Sequence, residues 1–203
     1  MGATPELLLC GRAGEYQTMA LAGTRPFNPQ THTLPWSEKE QLEQKFVTDY
    51  IIEKLHAEGV TDLRCSAPHT RQAGSVEHIC TEISFSSGNA VELPQTLRRI
   101  DFEVLQVLHP TPAVCGMPAD VAKDFILKIE KHNREYYTGF LGMLNIKEQT
   151  DVYVNLRCMR LFPHGKLLYA GAGITAGSDP EREWNETEMK MQIMASAFDN
   201  SSK

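Results

Sequence analysis

The sequence predicts an α+β (mixed α/β) fold in one domain. Three observations lead there: an apolar run that opens directly into a hairpin, helices with clear start signals lying between strands, and a second antiparallel pair further along the chain. No internal repeat, low-complexity stretch or linker divides residues 1–203, so a single domain is the simplest partition. At 203 residues and 41% hydrophobic, the chain is long and apolar enough to bury a sizeable core. A net charge of −6 without any Lys/Arg cluster argues against a nucleic-acid partner. No apolar run approaches the roughly 18 residues of a membrane span, and the amino terminus lacks the plan of a signal peptide, so the expected location is cytoplasmic. Cys10, Cys65, Cys80, Cys115 and Cys158 have no CxxC spacing and read as small core residues rather than a disulfide framework or a zinc site.

In chain order, Glu6 to Cys10 predicts the first strand, Gly11 to Glu15 a turn, and Tyr16 to Leu21 the return strand, closing on Ala22, Gly23 and Thr24. Glu6 at the head of an apolar strand is either an exposed charge or a functional carboxyl. After the polar loop Pro26 to Pro35, Ser37 and Glu40 form a capping box that starts a helix reaching about Ala57, with Gly59 closing it. On a wheel of about 100° per residue, Leu42, Phe46, Val47 and Tyr50 mark an apolar sector, and Glu43 falls inside it. An ionised carboxylate there costs several kcal/mol unless compensated, so Glu43 is expected to be ion-paired, metal-bound or protonated.

Leu63 to Cys65 predicts a short strand and Ile79 to Phe85 a longer one, with His78 at its head as either a hydrogen-bonded structural group or a ligand. Ser86, Ser87 and Gly88 turn the chain. Leu97, Ile100, Val104, Leu105 and Leu108 then space out a helix that ends at His109 before Pro110 and Pro112. Pro110 to Gly116 reads as a rigid loop. A helix follows from Pro118 to about His132, with Val121, Phe125, Ile126 and Ile129 facing inward. Tyr137 to Ile146 and Asp151 to Phe162 predict antiparallel strands joined at Lys147 to Thr150. Arg157 in mid-strand needs an anionic partner, either a protein carboxylate or a ligand. Pro163 to Gly165 turns into a further strand.

That strand feeds the stretch around which the rest is organised, Tyr169 to Lys190, YAGAGITAGSDPEREWNETEMK. Gly171, Gly173 and Gly177 suit positive φ and close backbone approach, so an anion could rest on main-chain amides ahead of the next helix. As a dinucleotide fingerprint their GxGxxxG spacing is weak. Asp179 caps the helix and Pro180 lies in its first turn. Glu183, Glu186 and Lys190 fall within roughly a 60° arc, beside a core-facing arc of Trp184, Thr187, Met191, Met194 and Phe198. They form either a solvated shoulder with a Glu186–Lys190 pair or one wall of a site.

Assembled, the segments ATPELLL, LAGT (Leu21 to Thr24), SEKEQLEQ around Glu43, HPTPAVCGMP from His109, NREYYTGFLG from Asn133, NLRC around Arg157 and AGAGI to EREWNETEMK resemble the chorismate-utilising enzymes, and within them the isochorismate synthases. The likeness spans nearly the whole chain. It implies a sandwich of two packed sheets with outer helices, of which this chain would hold the carboxyl-terminal half. It further implies Mg²⁺ held by Glu43 and Glu186, with Glu183 close by through water. Chorismate would be bound by Arg157, Lys190 and backbone groups at Gly171 and Gly173, with Gly23, Thr24 and His78 lining the pocket. Glu6 matches the general acid that protonates the departing C4 hydroxyl while water adds at C2.

The loop from His109 resembles the water-adding members more than the ammonia-using anthranilate type; a salicylate-forming relative and a non-catalytic chorismate-binding fragment are the alternative readings. The product would feed menaquinone or a catechol siderophore. The family's general base, a lysine, matches none of the ten lysines here. A solitary half is expected to expose strand edges and an apolar face, to associate with itself or with a separate amino-terminal half, and to lack appreciable activity alone.

Overall fold

A computed structural model describes residues 1, 2, 4, 6–86 and 100–200. The turn at Ser87 and Gly88, the helical position Leu97, and the side chains of Ile100 and Phe198 lie outside the described set. Strands β1 (Leu7–Arg12) and β2 (Glu15–Pro26) make the opening hairpin, with Arg12 opposite Glu15 across a turn at Ala13 and Gly14. β2 runs past Leu21, the end that the sequence suggests, because it continues to pair with β5 (Val76–Ser86) as far as Pro26.

Helix α1 (Glu38–Ala57) carries the expected capping box: the Ser37 hydroxyl accepts from the Glu40 amide, and the Glu40 carboxylate accepts from the Ser37 amide. Its buried face is Gln44, Val47, Ile51 and Leu55, whereas Leu42 and Phe46 are exposed. The expected sector is therefore rotated. Gln44 is buried because its amide donates to the Thr48 and Thr81 hydroxyls at 2.8 and 2.7 Å, which satisfies a polar group at the helix–sheet contact. Glu43 falls beside this face, partly buried.

Strands β3 (Arg64–Cys65) and β4 (His69–Ala73) both pair with β5. β4 has no counterpart in the sequence reading, since its HTRQA is polar, without an apolar alternation, and is largely exposed. Helix α2 (Ile100–Leu108) buries Val104, Leu105 and Leu108, while Pro112–Cys115 forms one turn, α3, where a loop was expected. Helix α4 (Ala119–Ile129) stops short of His132 and buries none of its residues; Val121, Phe125 and Ile129 are exposed rather than inward.

β6 (Phe140–Ile146) and β7 (Gln149–Val154) form the second hairpin. The long strand expected through Phe162 is broken at Asn155–Arg157, after which β8 (Cys158–Phe162) pairs with β9 (Gly165–Tyr169) in a separate two-stranded sheet. Asn155 makes the break. Its amide donates to the Gly139 carbonyl, its carbonyl accepts from the Thr138 amide, and its side chain donates to the Tyr136 carbonyl. Arg157 consequently sits at a corner between two sheets and not in mid-strand. Helix α5 (Pro180–Asn200) closes the described chain.

The main sheet has the antiparallel order β3-β5-β2-β1-β7-β6, with β4 also on β5. Of the two-sheet sandwich, the second sheet is a single hairpin among the described residues. One face of the main sheet packs Leu8, Ala20, Ile83, Phe85, Val152 and Val154 against Val47, Ile51 and Leu55 of α1 and Val104, Leu105 and Leu108 of α2. The other face carries a smaller cluster of Leu7, Met19, Leu21 and Cys80, and His78, two residues from Cys80, shares that face. The edge strand β6 is exposed along its whole length, including Leu141, Met143 and Ile146. Among the cysteines only Cys80 and Cys158 are buried; Cys65 is exposed, so the core reading holds for two of them.

Candidate active site

The chain start is tied to the corner that carries Arg157. Gly2 bridges Cys158, the Thr4 hydroxyl donates to the Val154 carbonyl, and the Val154 amide donates to the Glu6 carbonyl at 3.0 Å. These bonds hold Glu6 just before β1, with its side chain only 3% exposed. Burial raises its pKa from 4.5 to about 7, against the opposing pull of the Lys190 and Arg157 charges nearby. A carboxyl in this setting keeps its proton in a substantial fraction of molecules at neutral pH, where an ordinary glutamate would have lost it, and can donate it.

Arg157 is itself buried. One terminal nitrogen donates to His78 Nε2 at 2.7 Å and the other to the Ala73 carbonyl at 3.3 Å. A guanidinium only donates, so His78 Nε2 must be an unprotonated acceptor. Its Nδ1 then carries the hydrogen, facing the Gly23 carbonyl at 2.8 Å with the Thr24 hydroxyl at 3.2 Å. Burial, with the Arg157 and Lys190 charges adding to it, lowers the His78 pKa to about 4 and keeps the ring neutral. Gly23 presents its carbonyl from an irregularity in β2 pairing between Ala22 and Arg25, at φ +69°, a conformation that favours glycine. Arg25 beyond it pairs with buried Glu77 at 2.5 Å and lies over the Trp36 ring at 4.0 Å, fixing the loop that leads into α1.

From α5, Lys190 donates to the Gly171 carbonyl at 3.0 Å and pairs with Glu186 at 2.6 Å. Asp179 caps the helix by accepting from the Arg182 amide at 2.9 Å. None of Gly171, Gly173 and Gly177 adopts positive φ, the conformation that their type allows; the turn at Ala176 and Gly177, closed by the Ser178 amide donating to the Thr175 carbonyl at 3.0 Å, forms without it. Space is what matters at Gly171, where a Cβ would lie 2.7 Å from the Tyr137 hydroxyl, while Gly173 is open. Tyr137 stacks on Tyr169, and burial pushes its pKa to about 12.

The three glutamates lie on α1 and α5. Glu183, and not Trp184, is the buried residue of the first turns of α5; Trp184 is exposed. Lys39 Nζ is 2.5 Å from Glu183 Oε1 and 3.5 Å from Glu43 Oε1, which joins the two helices. Burial raises the Glu43 pKa, Lys39 opposes the rise, and the charges of Glu183 and Glu186 add to it. Glu43 Oε1 is buried, and among the described residues it has the Lys39 ammonium at 3.5 Å but no well-formed hydrogen bond. An all-carboxylate donor set with an unsatisfied oxygen fits a hard divalent cation. Among the described residues no three such side chains converge closely enough to enclose a metal as they stand.

The structure thus groups Glu6, His78, Arg157, Lys190, Gly23, Thr24 and Gly171, sets Glu43, Glu183 and Glu186 beside them, and links the two sets through Lys190. Lys39 and Tyr137 were missed by sequence reading. Lys39 was detectable, standing four residues before Glu43 on the same helix. Tyr137 had no such signal.

No described helix is long and apolar enough to cross a membrane. The chain is 35% identical over 199 residues to isochorismate synthase MenF of Escherichia coli, covering 94% of this chain and 43% of the relative. It is 32% identical over 209 residues to isochorismate synthase DhbC of Bacillus subtilis, covering 98% and 50%. Among solved structures, a putative 2,3-dihydroxybenzoate-specific isochorismate synthase from Bacillus anthracis superposes with a TM-score of 0.84 at 33% identity, covering 97% of this chain and 52% of that one. The menaquinone-specific enzyme of E. coli gives 0.77 at 32% identity, covering 96% and 44%. The chain spans about half the length of these relatives. Residues 1–199 match the sequence profile of chorismate binding enzymes, and the chain belongs to that family.

Proposed function

We propose that this chain supplies the carboxyl-terminal part of an isochorismate synthase, which converts chorismate to isochorismate with Mg²⁺ in the cytoplasm. The observation that carries the reading is Glu6: a carboxyl buried beside two cationic side chains, with its pKa raised to about 7. Arg157 is preset by His78 to grip a substrate carboxylate, and Lys190 adds a second positive charge on the same side. Glu6 gives its proton to the C4 hydroxyl oxygen as that C–O bond breaks. A water joins C2 and one leaves from C4, so substrate and product are isomers. Glu43 and Glu186 would hold Mg²⁺ with Glu183 close by, and the ion when bound would neutralise the ring carboxylate of chorismate.

The base that activates the incoming water has no matching lysine here. We assign it to a complementary amino-terminal half, and assign the exposed β6 edge and α4 to the contact with that half; self-association covers the same surface when the half is missing. Support comes from the isochorismate synthases that this chain resembles, two of them named for menaquinone and 2,3-dihydroxybenzoate. The test follows chorismate consumption by the purified chain with Mg²⁺, alone and mixed with the amino-terminal half of such a relative, with the products identified. Isochorismate from the mixture only is expected. Full turnover by the chain alone would refute the division of labour, and salicylate with pyruvate, or anthranilate, would change the reaction.

A further inference from the structure

The carboxylates expected to receive a divalent cation already have a positive charge between them. Lys39 Nζ contacts Glu183 at 2.5 Å and Glu43 at 3.5 Å, reaching from the first turn of α1 to the first turns of α5. We propose that Lys39 is a built-in competitor of the metal ion: its ammonium holds α1 and α5 together in this arrangement, and it must withdraw before a divalent cation can engage Glu43. This inference rests on the metal reading given above.

Three observations carry it. The ammonium serves the two carboxylates unequally, since Glu183 receives a short hydrogen bond while Glu43 Oε1 is left buried without one. A buried carboxylate oxygen whose donor stands off at 3.5 Å is poorly satisfied, so the present arrangement is a compromise that a doubly charged ion would improve. Charge count agrees: Glu43, Glu183 and Glu186 face Lys39 and Lys190, which leaves one negative charge over. Finally, Lys39 has somewhere to go. Its side chain is 37% exposed, and a lysine head on a flexible four-carbon stem can swing into water without unfolding the helix.

Lys190 is a poorer candidate for the same role. Its second bond, to the Gly171 carbonyl, anchors it to the segment before α5, and Glu186 is its only carboxylate contact among the ion pairs described here.

The experiment uses the full chain and two readouts independent of turnover. Mg²⁺ binding is measured by calorimetry for wild type, Lys39→Met and Lys39→Gln. Removing the competitor is expected to tighten Mg²⁺ binding by about fivefold, the scale of a partly exposed ion pair. In parallel, Lys39 of the wild-type chain is labelled with an amine-reactive reagent and quantified by mass spectrometry; saturating Mg²⁺ is expected to raise its labelling several-fold. This second readout needs no variant to fold. Unchanged or weaker Mg²⁺ binding in both variants, or labelling of Lys39 that Mg²⁺ leaves constant or lowers, would overturn the proposal while leaving a metal site in place. Absence of Mg²⁺ binding in wild type and variants alike would overturn the metal reading, and this inference with it.

Discussion

Arg157 and Glu43 are both charged groups drawn away from water, yet they are held in opposite ways. The guanidinium has neutral acceptors, an imidazole nitrogen and a backbone carbonyl, and the imidazole is fixed in turn by Gly23. The carboxylate has one oxygen with no hydrogen-bond partner and relies on a partly exposed lysine. Neutral partners leave the positive charge of Arg157 available, so that end of the site is ready for an anion before one arrives. The glutamate end is provisional, with its charge covered by a group that another cation can replace.

The largest effect is expected at Glu6, which is buried within reach of the Arg157 and Lys190 charges. On the function proposed above, with an amino-terminal half supplied, Glu6→Gln should lower turnover by about 10² to 10⁴ while leaving chorismate binding largely intact, checked by separate kcat and KM measurements. Retained turnover would remove Glu6 from the chemistry.

The next largest effect is in stability against pH. Glu6 binds its proton more tightly folded, about 7, than unfolded, 4.5, so its contribution is complete below pH 4.5 and is lost as pH rises through 7. His78 does the reverse: with a folded value of about 4 against 6.5, its contribution is complete above pH 6.5 and is lost as pH falls towards 4. Each is worth on the order of 3 kcal/mol, and the two slopes oppose each other between pH 4.5 and 6.5. Denaturant melts of Glu6→Gln should therefore show stability rising with pH across that window, and those of His78→Asn stability falling. Two parallel curves would mean that the pair is not coupled to folding in this way.

Arg157→Lys keeps the charge but loses the planar fork. A loss of about 2 kcal/mol in chorismate affinity is expected, measured by calorimetry on the completed enzyme. Smallest of all, Lys45→Ala on the outer face of α1 removes an exposed pair with Asp49 and should shift stability by less than about 0.5 kcal/mol, a control for the buried sites.

Elements that rest on local chemistry were legible from local signals. The Ser37–Glu40 box, the Asp179 cap and the two long hairpins all appear where side-chain type and alternation place them. What could not be read depends on partners distant in the chain. Leu42 and Phe46 fit an apolar sector, but Gln44 takes the inward position because Thr81, 37 residues away, accepts its hydrogen bond. β4 exists only because β5 offers an edge, and the break before Arg157 depends on where the Gly139 and Tyr136 carbonyls point. The residues that the structure gathers at the candidate site could be singled out in the sequence by type and motif. Their division into a settled end and a provisional one was not, because it turns on which nitrogen of His78 carries a hydrogen and on where the Lys39 head lies.

The backbone conformation at Gly23 limits how this pocket can be reshaped. A Cβ there would stand 3.4 Å from the Glu40 Cβ and 3.5 Å from the Ile79 Cδ1, on a backbone already in the left-handed region. Those distances are ordinary contact; the cost of a side chain comes from the backbone, whose strain would fall on the carbonyl that holds the His78 imidazole. Efforts to retune ligand preference should therefore vary Thr24, whose hydroxyl meets that ring from the next position, and leave its neighbour alone.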